Sequence, residues 1–154
     1  MRPVLDIRQG QRSDLPGVLA LYAQPALDND TVLDIPVAEQ MLARFSRYPD
    51  YTLYVATHEK QIVGSFALLI MENLGHLGAP SAVGEDVVVD PALHGHGIGQ
   101  VMMAFAAETA HAKHCYELVL PSNAEREAAH EFYEGLGFER HGYSFRLRLD
   151  EVTA

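Results

Sequence analysis

Residues 88–99, Val-Val-Asp-Pro-Ala-Leu-His-Gly-His-Gly-Ile-Gly, run from a short apolar strand through a glycine loop straight into a helix. Glycine at 95, 97 and 99 lets the backbone turn tightly and approach a ligand closely, because no Cβ stands in the way. The start of a helix adds unsatisfied N–H groups and the positive end of the helix dipole. Strand, loop and helix together make a seat for a phosphate or pyrophosphate. A run of glycines alone would be an ordinary turn, and the flanking elements are what point to an anion.

The rest of the composition narrows the class. At 154 residues, 48% hydrophobic and 21% charged, the chain is expected to fold as one domain, 1–154, with a core of its own. A net charge of −10 argues against nucleic acid, which calls for clustered Lys and Arg. It also means that an anionic ligand must be held by local dipoles against the overall field. No apolar run approaches the roughly 20 residues needed to cross a bilayer, and Met1–Asp6 lacks the anatomy of a signal peptide. A single cysteine, Cys115, excludes an internal disulfide framework and fits a reducing cytoplasm.

Periodicity and turn residues predict the elements. Val4–Arg8 is a strand, and Ser13 or Asp14 caps a helix that buries Leu15, Val18, Leu19 and Tyr22. The stretch 25–36 is an Asp-rich loop, followed by a helix with Val37, Met41, Leu42 and Phe45 on one face. Strands follow at 51–57 and 61–71, the second so evenly apolar that both its faces should be buried. A loop at 73–80 leads to a strand at 81–89. The helix from Gly97 to His114 should bury Ile98, Val101, Met102, Phe105 and Thr109. A strand at 117–120, a helix opened by the capping box Ser122–Glu125 and ending near Gly135, and an alternating strand at 143–149 complete the chain. The order β-α-α-β-β-β-α-β-α-β is a mixed α/β (α+β) sheet.

Two nucleotide loops are excluded by spacing. A Rossmann fingerprint needs its third glycine at the sixth position, which is Gln100 counting from Gly95 and Met102 counting from Gly97. No Gly-Lys-Ser/Thr follows, so the loop is not a P-loop. What residues 88–99 do resemble is the acyl-CoA pyrophosphate loop of the GNAT-type N-acetyltransferases, with His94 where that loop usually opens on Arg or Gln. The segment Ala129-His130-Glu131-Phe132-Tyr133-Glu134-Gly135-Leu136-Gly137-Phe138 is similar to the family's fourth-helix signature, with Tyr four residues before a Gly-Phe pair. Asn123, Arg126, Ala129, His130, Phe132, Tyr133, Gly137, Tyr143 and Phe145 resemble the aminoalkylphosphonate N-acetyltransferases. Residues 84–89 and 114–116 instead resemble the glucosamine-phosphate N-acetyltransferases, so no substrate carries over. Arg126 departs from the Asn that many members have at that place.

The resemblance implies the GNAT acyl-CoA N-acyltransferase fold and acetyl-CoA as co-substrate. It implies that the backbone amides of His94, Gly95, His96, Gly97, Ile98, Gly99 and Gln100 hold the pyrophosphate, with Asn123, Arg126 and Tyr133 also on the cofactor side. Val87, Val88 and Val89 would pair with the pantetheine arm, and an amide near Val87 or Val88 would polarise the thioester carbonyl. Tyr133 would meet the departing sulfur as acid or hydrogen-bond donor. For the base, Glu85 and Asp86 are the candidates; neighbours on a strand point to opposite faces, so only one should reach the acceptor, and the longer Glu85 is favoured. The segments 28–36 and 73–80 are expected to border the acceptor pocket; Asp28, Asp30, Asp34, Glu72 and His76 there are compatible with recognising a cation, although charges on loops are by default simply solvated.

Of the eight histidines, His111 and His114 lie one helical turn apart beside Cys115, but nothing nearby completes a tetrahedral set, so no metal is expected. The leading expectation is acetyl transfer to the primary amine of a small molecule by direct attack in a ternary complex, in an enzyme able to form homodimers. A protein N-terminal or lysine acetyltransferase, and a non-catalytic acyl-CoA-binding module, are the alternatives. If His94 faces the pyrophosphate it attracts it only as imidazolium, the form that acid favours. Coenzyme A affinity, measured by calorimetry, should therefore tighten from pH 8 to pH 6. His94→Arg should flatten that slope, and an unchanged slope would refute the role.

Overall fold

The computed structural model describes residues 4–25, 27–121, 127–142 and 144–149. The chain forms two compact units, divided after Pro121. The first unit carries β1 (Asp6–Gln9), α1 (Leu15–Tyr22), α2 (Ile35–Arg44), β2 (Tyr51–His58), β3 (Gln61–Met71), β4 (Ser81–Val89), α3 (Ile98–Ala112) and β5 (Leu118–Val119). The second carries α4 (Glu127–Gly135).

The five strands lie in sequence order, antiparallel from β1 to β4, with β5 parallel to β4. β3 is the central strand, and residues 63–68 are buried without a break, as its apolar run predicts. Leu15, Val18 and Leu19 of α1 and Ala38 of α2 pack with Leu53 and Val55. Tyr54 and Phe66, paired across β2 and β3, carry the Phe105 ring of α3 in edge contact, centroids 5.2 and 6.5 Å away.

Several boundaries differ from the periodicity. β1 begins at Asp6 rather than Val4, whose side chain is exposed. α2 begins at Ile35, with Pro36 in its first turn, where a missing N–H costs nothing. That start turns Ile35, Ala38, Leu42 and Phe45 inward, leaving Val37 and Met41 each 43% exposed. α3 buries Ile98, Met102, Met103, Ala106 and Ala110, while Val101, Phe105 and Thr109 are only half-buried. Met102 sits over Gly64, where a Cβ would come within 2.5 Å of the sulfur, and this close approach sets the helix's rotation.

The alternating segment at the end of the chain is a further correction. Residues 144–149 form no strand, and Phe145 is 96% exposed, while Tyr143 and the capping box 122–125 lie outside the described residues (α4 itself begins by Glu127). Period-two alternation prepares one apolar face but does not by itself supply a paired neighbour. No helix among the described residues is long and apolar enough to cross a membrane.

The entry to α1 is fixed by a charge pair rather than a side-chain cap. Asp14 is buried, accepts two bonds from the Arg8 guanidinium (2.7 and 2.9 Å) and a third from the Gln11 amide (2.7 Å). The Arg8 hydrogen bond, foremost, holds the Asp14 carboxyl below its usual range. A depressed carboxylate stabilises the fold above its unfolded pKa, about 3.9, and loses that contribution as pH falls through the lower folded value. Asp14→Asn should cost about 1–2 kcal/mol at pH 7, the low end for charged hydrogen bonds because the Arg8 side chain is 40% exposed. Thermal unfolding at pH 7 and pH 3 should show that difference shrinking in acid.

Candidate active site

β4 pairs with β3 in two registers. Gly64 and Ser65 face Val89 and Val88, but Ala67 faces Glu85, so Asp86 and Val87 together stand opposite Phe66. This is a β-bulge, and Asp86 takes a left-handed backbone at φ 52°. Aspartate tolerates that conformation better than most residues.

The bulge undoes the strict alternation from which a single inward carboxylate was expected. Both Glu85 and Asp86 act electrostatically on the Tyr51 phenol at the start of β2, and Asp86 also on Tyr22 at the end of α1. Desolvation, then the Asp86 charge, raises the Glu85 pKa. Asp86 remains open to solvent, yet desolvation by the groups around it, then the Asp28 charge, pushes its pKa up as well. Tyr22 and Tyr51 are both raised, burial first and the neighbouring carboxylates next. Tyr51 also stacks on Phe45 at 4.1 Å and meets Tyr48 edge-on at 5.2 Å. The result is a group of three carboxylates beside an aromatic wall.

Of the acids expected around an acceptor, the structure brings Asp28 to the bulge. It does not bring the 73–80 loop. Asn73 donates to the Ala79 carbonyl and to Ser81, at the other end of β4, and His76 stacks on Tyr116 at 4.1 Å. From Ser81 to Asp86 is about 16 Å of extended strand. The sequence places Tyr22 on the buried face of a helix and Tyr51 at the start of a strand, with no part in the site for either. The available signal was tyrosine where leucine would pack as well, since a buried phenol needs a partner.

Beyond the bulge, Val88 anchors β4 in the core, and Asp90 accepts the Ala92 amide (3.0 Å) to open a tight turn over Pro91–Leu93. Gly95 (φ 85°) and Gly97 (φ 82°) are left-handed, and Gly97 is the N-cap of α3. The His94 and His96 amides close turns onto the Pro91 and Leu93 carbonyls (3.4 and 3.3 Å), so they are already engaged. The amides of Gly95, Gly97, Ile98, Gly99 and Gln100 have no acceptor among the described residues. A Cβ on Gly95 would meet nothing within 4 Å among the described residues. Ile98 is buried against the sheet and offers only its backbone. The His94 ring turns back on β4, its Nε2 3.3 Å from the Val89 carbonyl.

β5 pairs with β4 only at Ala82 and Val83, so no strand among the described residues lies against that edge of 84–89. Val87, Val88 and Val89 thus connect the carboxylates to the amide-lined loop along a strand with one partner.

In the second unit, α4 ends in a Schellman stop. The Phe138 amide bonds to the Tyr133 carbonyl (3.1 Å), the Gly137 amide to Glu134 (3.0 Å), and Gly137 is left-handed at φ 94°. The Phe138 ring lies edge-on to Tyr133 at 6.1 Å, and Arg140 pairs with Glu134. Asn123 and Arg126 lie outside the described residues.

Residues 49–140 match the family model described as Acetyltransferase (GNAT) domain. A glucosamine 6-phosphate N-acetyltransferase from Trypanosoma brucei brucei is 38% identical over 89 residues, 58% of this chain and 58% of that protein. The match thus spans little more than half of that relative's length. An aminoalkylphosphonate N-acetyltransferase from Salmonella typhimurium is 27% identical over 96% of this chain and 93% of its own. Among solved structures, a putative acetyltransferase from Agrobacterium tumefaciens superposes with a TM-score of 0.86 at 34% identity, covering 93% of this chain and 99% of that one.

The loop's dependence on glycine is directly measurable. Gly97→Ala should destabilise the fold by about 1–2 kcal/mol, the cost of a Cβ in the left-handed region. Denaturant unfolding gives that loss, and a variant as stable as the parent would contradict the backbone conformation.

Proposed function

Because the chain belongs to the GNAT acetyltransferase family, we propose that it is an N-acetyltransferase moving the acetyl group of acetyl-CoA to the primary amine of a small molecule. The observation that carries this reading is the continuity of β4. One strand bears the carboxylates at its bulge and leads directly into five amides free to receive an anion. In this reading the amides of 95 and 97–100 hold the pyrophosphate of acetyl-CoA, helped by the α3 dipole. Residues 87–89 hydrogen-bond its pantetheine arm along the open edge, in one domain spanning 1–154.

The acceptor arrives as an ammonium with a pKa of about 10.4. Asp28, Glu85 and Asp86 attract it, and Glu85, directly or through water, takes its proton. The raised Glu85 pKa narrows the gap that this transfer must cross. The amine nitrogen then attacks the thioester carbon, an amide at Val87 or Val88 steadies the developing oxyanion, the nitrogen gives its second proton to water, and the C–S bond breaks. The thiolate receives a proton or a strong hydrogen bond from Tyr133, a role assigned by the resemblance of its motif alone. A phenol near 10 gives little driving force toward a thiolate near 8.5.

Three carboxylates at the acceptor end favour a cationic acceptor without a phosphate next to its amine. Thiol release across a panel of polyamines, amino sugars, aminoalkylphosphonates and peptides tests both the reaction and this preference. Absence of release with every amine, or of any binding of coenzyme A, would overturn the proposal. Glu85→Gln should lower kcat by about 100-fold or more. It should also remove the acid limb of kcat/KM, which in the parent falls as pH drops through the raised carboxylate pKa.

A further inference from the structure

Gln24 stands just past the end of α1, and its side-chain nitrogen lies 2.9 Å from the Leu21 carbonyl and 3.2 Å from the Val89 carbonyl. Both neighbours are carbonyl oxygens, so each of the two amide hydrogens has an acceptor. One bond closes the end of α1, and the other crosses 65 residues to the last residue of β4.

The backbone of Gln24 organises the loop that follows. Its carbonyl accepts the Leu27 amide (3.1 Å) and the Asn29 amide (3.2 Å). The Asp28 amide returns to Tyr22 (2.9 Å) and that of Asp30 to Ala23 (2.7 Å). The loop carrying Asp28 is therefore wound on Gln24. The Val89 carbonyl, with two lone pairs, also faces Nε2 of His94, the first residue of the amide-lined loop. One oxygen atom thus joins the acceptor-side loop, the reacting strand and the pyrophosphate loop.

We propose that Gln24 is a positioning residue that fastens the Asp28 loop to the exit of β4, so that an anion seated on residues 95–100 also orders the acceptor side. The coupling runs through two hydrogen bonds to one carbonyl, and it rests on the acetyl-CoA reading only for the identity of the anion.

Hydrogen exchange separates this from a merely structural role. In the parent, coenzyme A should slow exchange at 95–100 and, about five-fold or more, at 27–34. Gln24→Met, of similar shape but with no donor, should keep the protection at 95–100 and lose it at 27–34. Its KM for the acceptor should rise about ten-fold with kcat and the acetyl-CoA affinity nearly unchanged. Gln24→Glu, which sets carboxylate oxygens against the same carbonyls, should behave alike and serves if the methionine variant folds poorly. Coenzyme A protection of 27–34 that survives in either folded variant would overturn the proposal, as would its absence in a parent whose 95–100 amides are protected. Coenzyme A that protects neither segment would count against the acetyl-CoA reading instead. The fastening is then judged without ligand, where 27–34 must exchange faster in the variants than in the parent and equal rates refute it.

Discussion

The site depends on one extra residue in β4. A regular strand would send Glu85 and Asp86 to opposite faces of the sheet and leave one of them without a part. The left-handed backbone at Asp86 breaks the alternation and brings both charges to bear on Tyr51. Such a conformation costs on the order of 1 kcal/mol and persists only where its surroundings hold it. Here the flanks do so. Phe66, opposite the bulge, is fully buried, and Val88 on the far side is anchored in the core. Pairing with β3 therefore resumes at once, and β4 still delivers Asp90 and the glycine loop to α3 in register.

In the proposed reaction, ligands of opposite charge would be sorted along that strand by different means. A net charge of −10 would repel an anion at long range, but beyond a Debye length of about 8 Å salt screens that field. Amides in hydrogen-bond contact are not screened this way, so five of them outweigh a distant excess of carboxylates. At the other end Asp28, Glu85 and Asp86 repel one another, and a cation entering among them relieves the repulsion. Val87, Val88 and Val89 put about 10 Å of strand between the carboxylates and the turn that opens the glycine loop, a length set by the backbone and not by flexible side chains.

The sequence made the scaffold legible where a residue type leaves little choice. The apolar run of β3 had to be covered on both faces, and residues 63–68 are buried; the glycines marked a tight turn, in which Gly95 and Gly97 are left-handed while Gly99 already belongs to α3. The facing of α2 was not legible, because moving its start back to Ile35 exchanges Val37 and Met41 for Ile35 and Ala38. Nothing in Gly-Glu-Asp-Val-Val-Val announces a bulge, since its left-handed residue is an aspartate and not a glycine. Asp28 and Glu72 look alike in sequence. Only the return of the 27–30 amides to the end of α1 shows why the first reaches the bulge.

The second unit explains why so short a motif can be specific. In Tyr133-Glu134-Gly135-Leu136-Gly137-Phe138 the spacing is that of a helix stop. Gly137 takes the left-handed position, Phe138 returns its amide to the Tyr133 carbonyl, and its ring lies against the Tyr133 ring. Tyrosine and phenylalanine therefore hold each other in orientation through the same turn that ends the helix. A Cβ at Gly137 would meet nothing within 4 Å among the described residues, so there the glycine answers to its backbone angle and not to space. In its proposed role Tyr133 would present its hydroxyl in one direction, and a place in the last turn of such a helix suits that, because the stop fixes ring and backbone together. That makes the four-residue interval between Tyr133 and Gly137 a geometric requirement rather than a coincidence of composition.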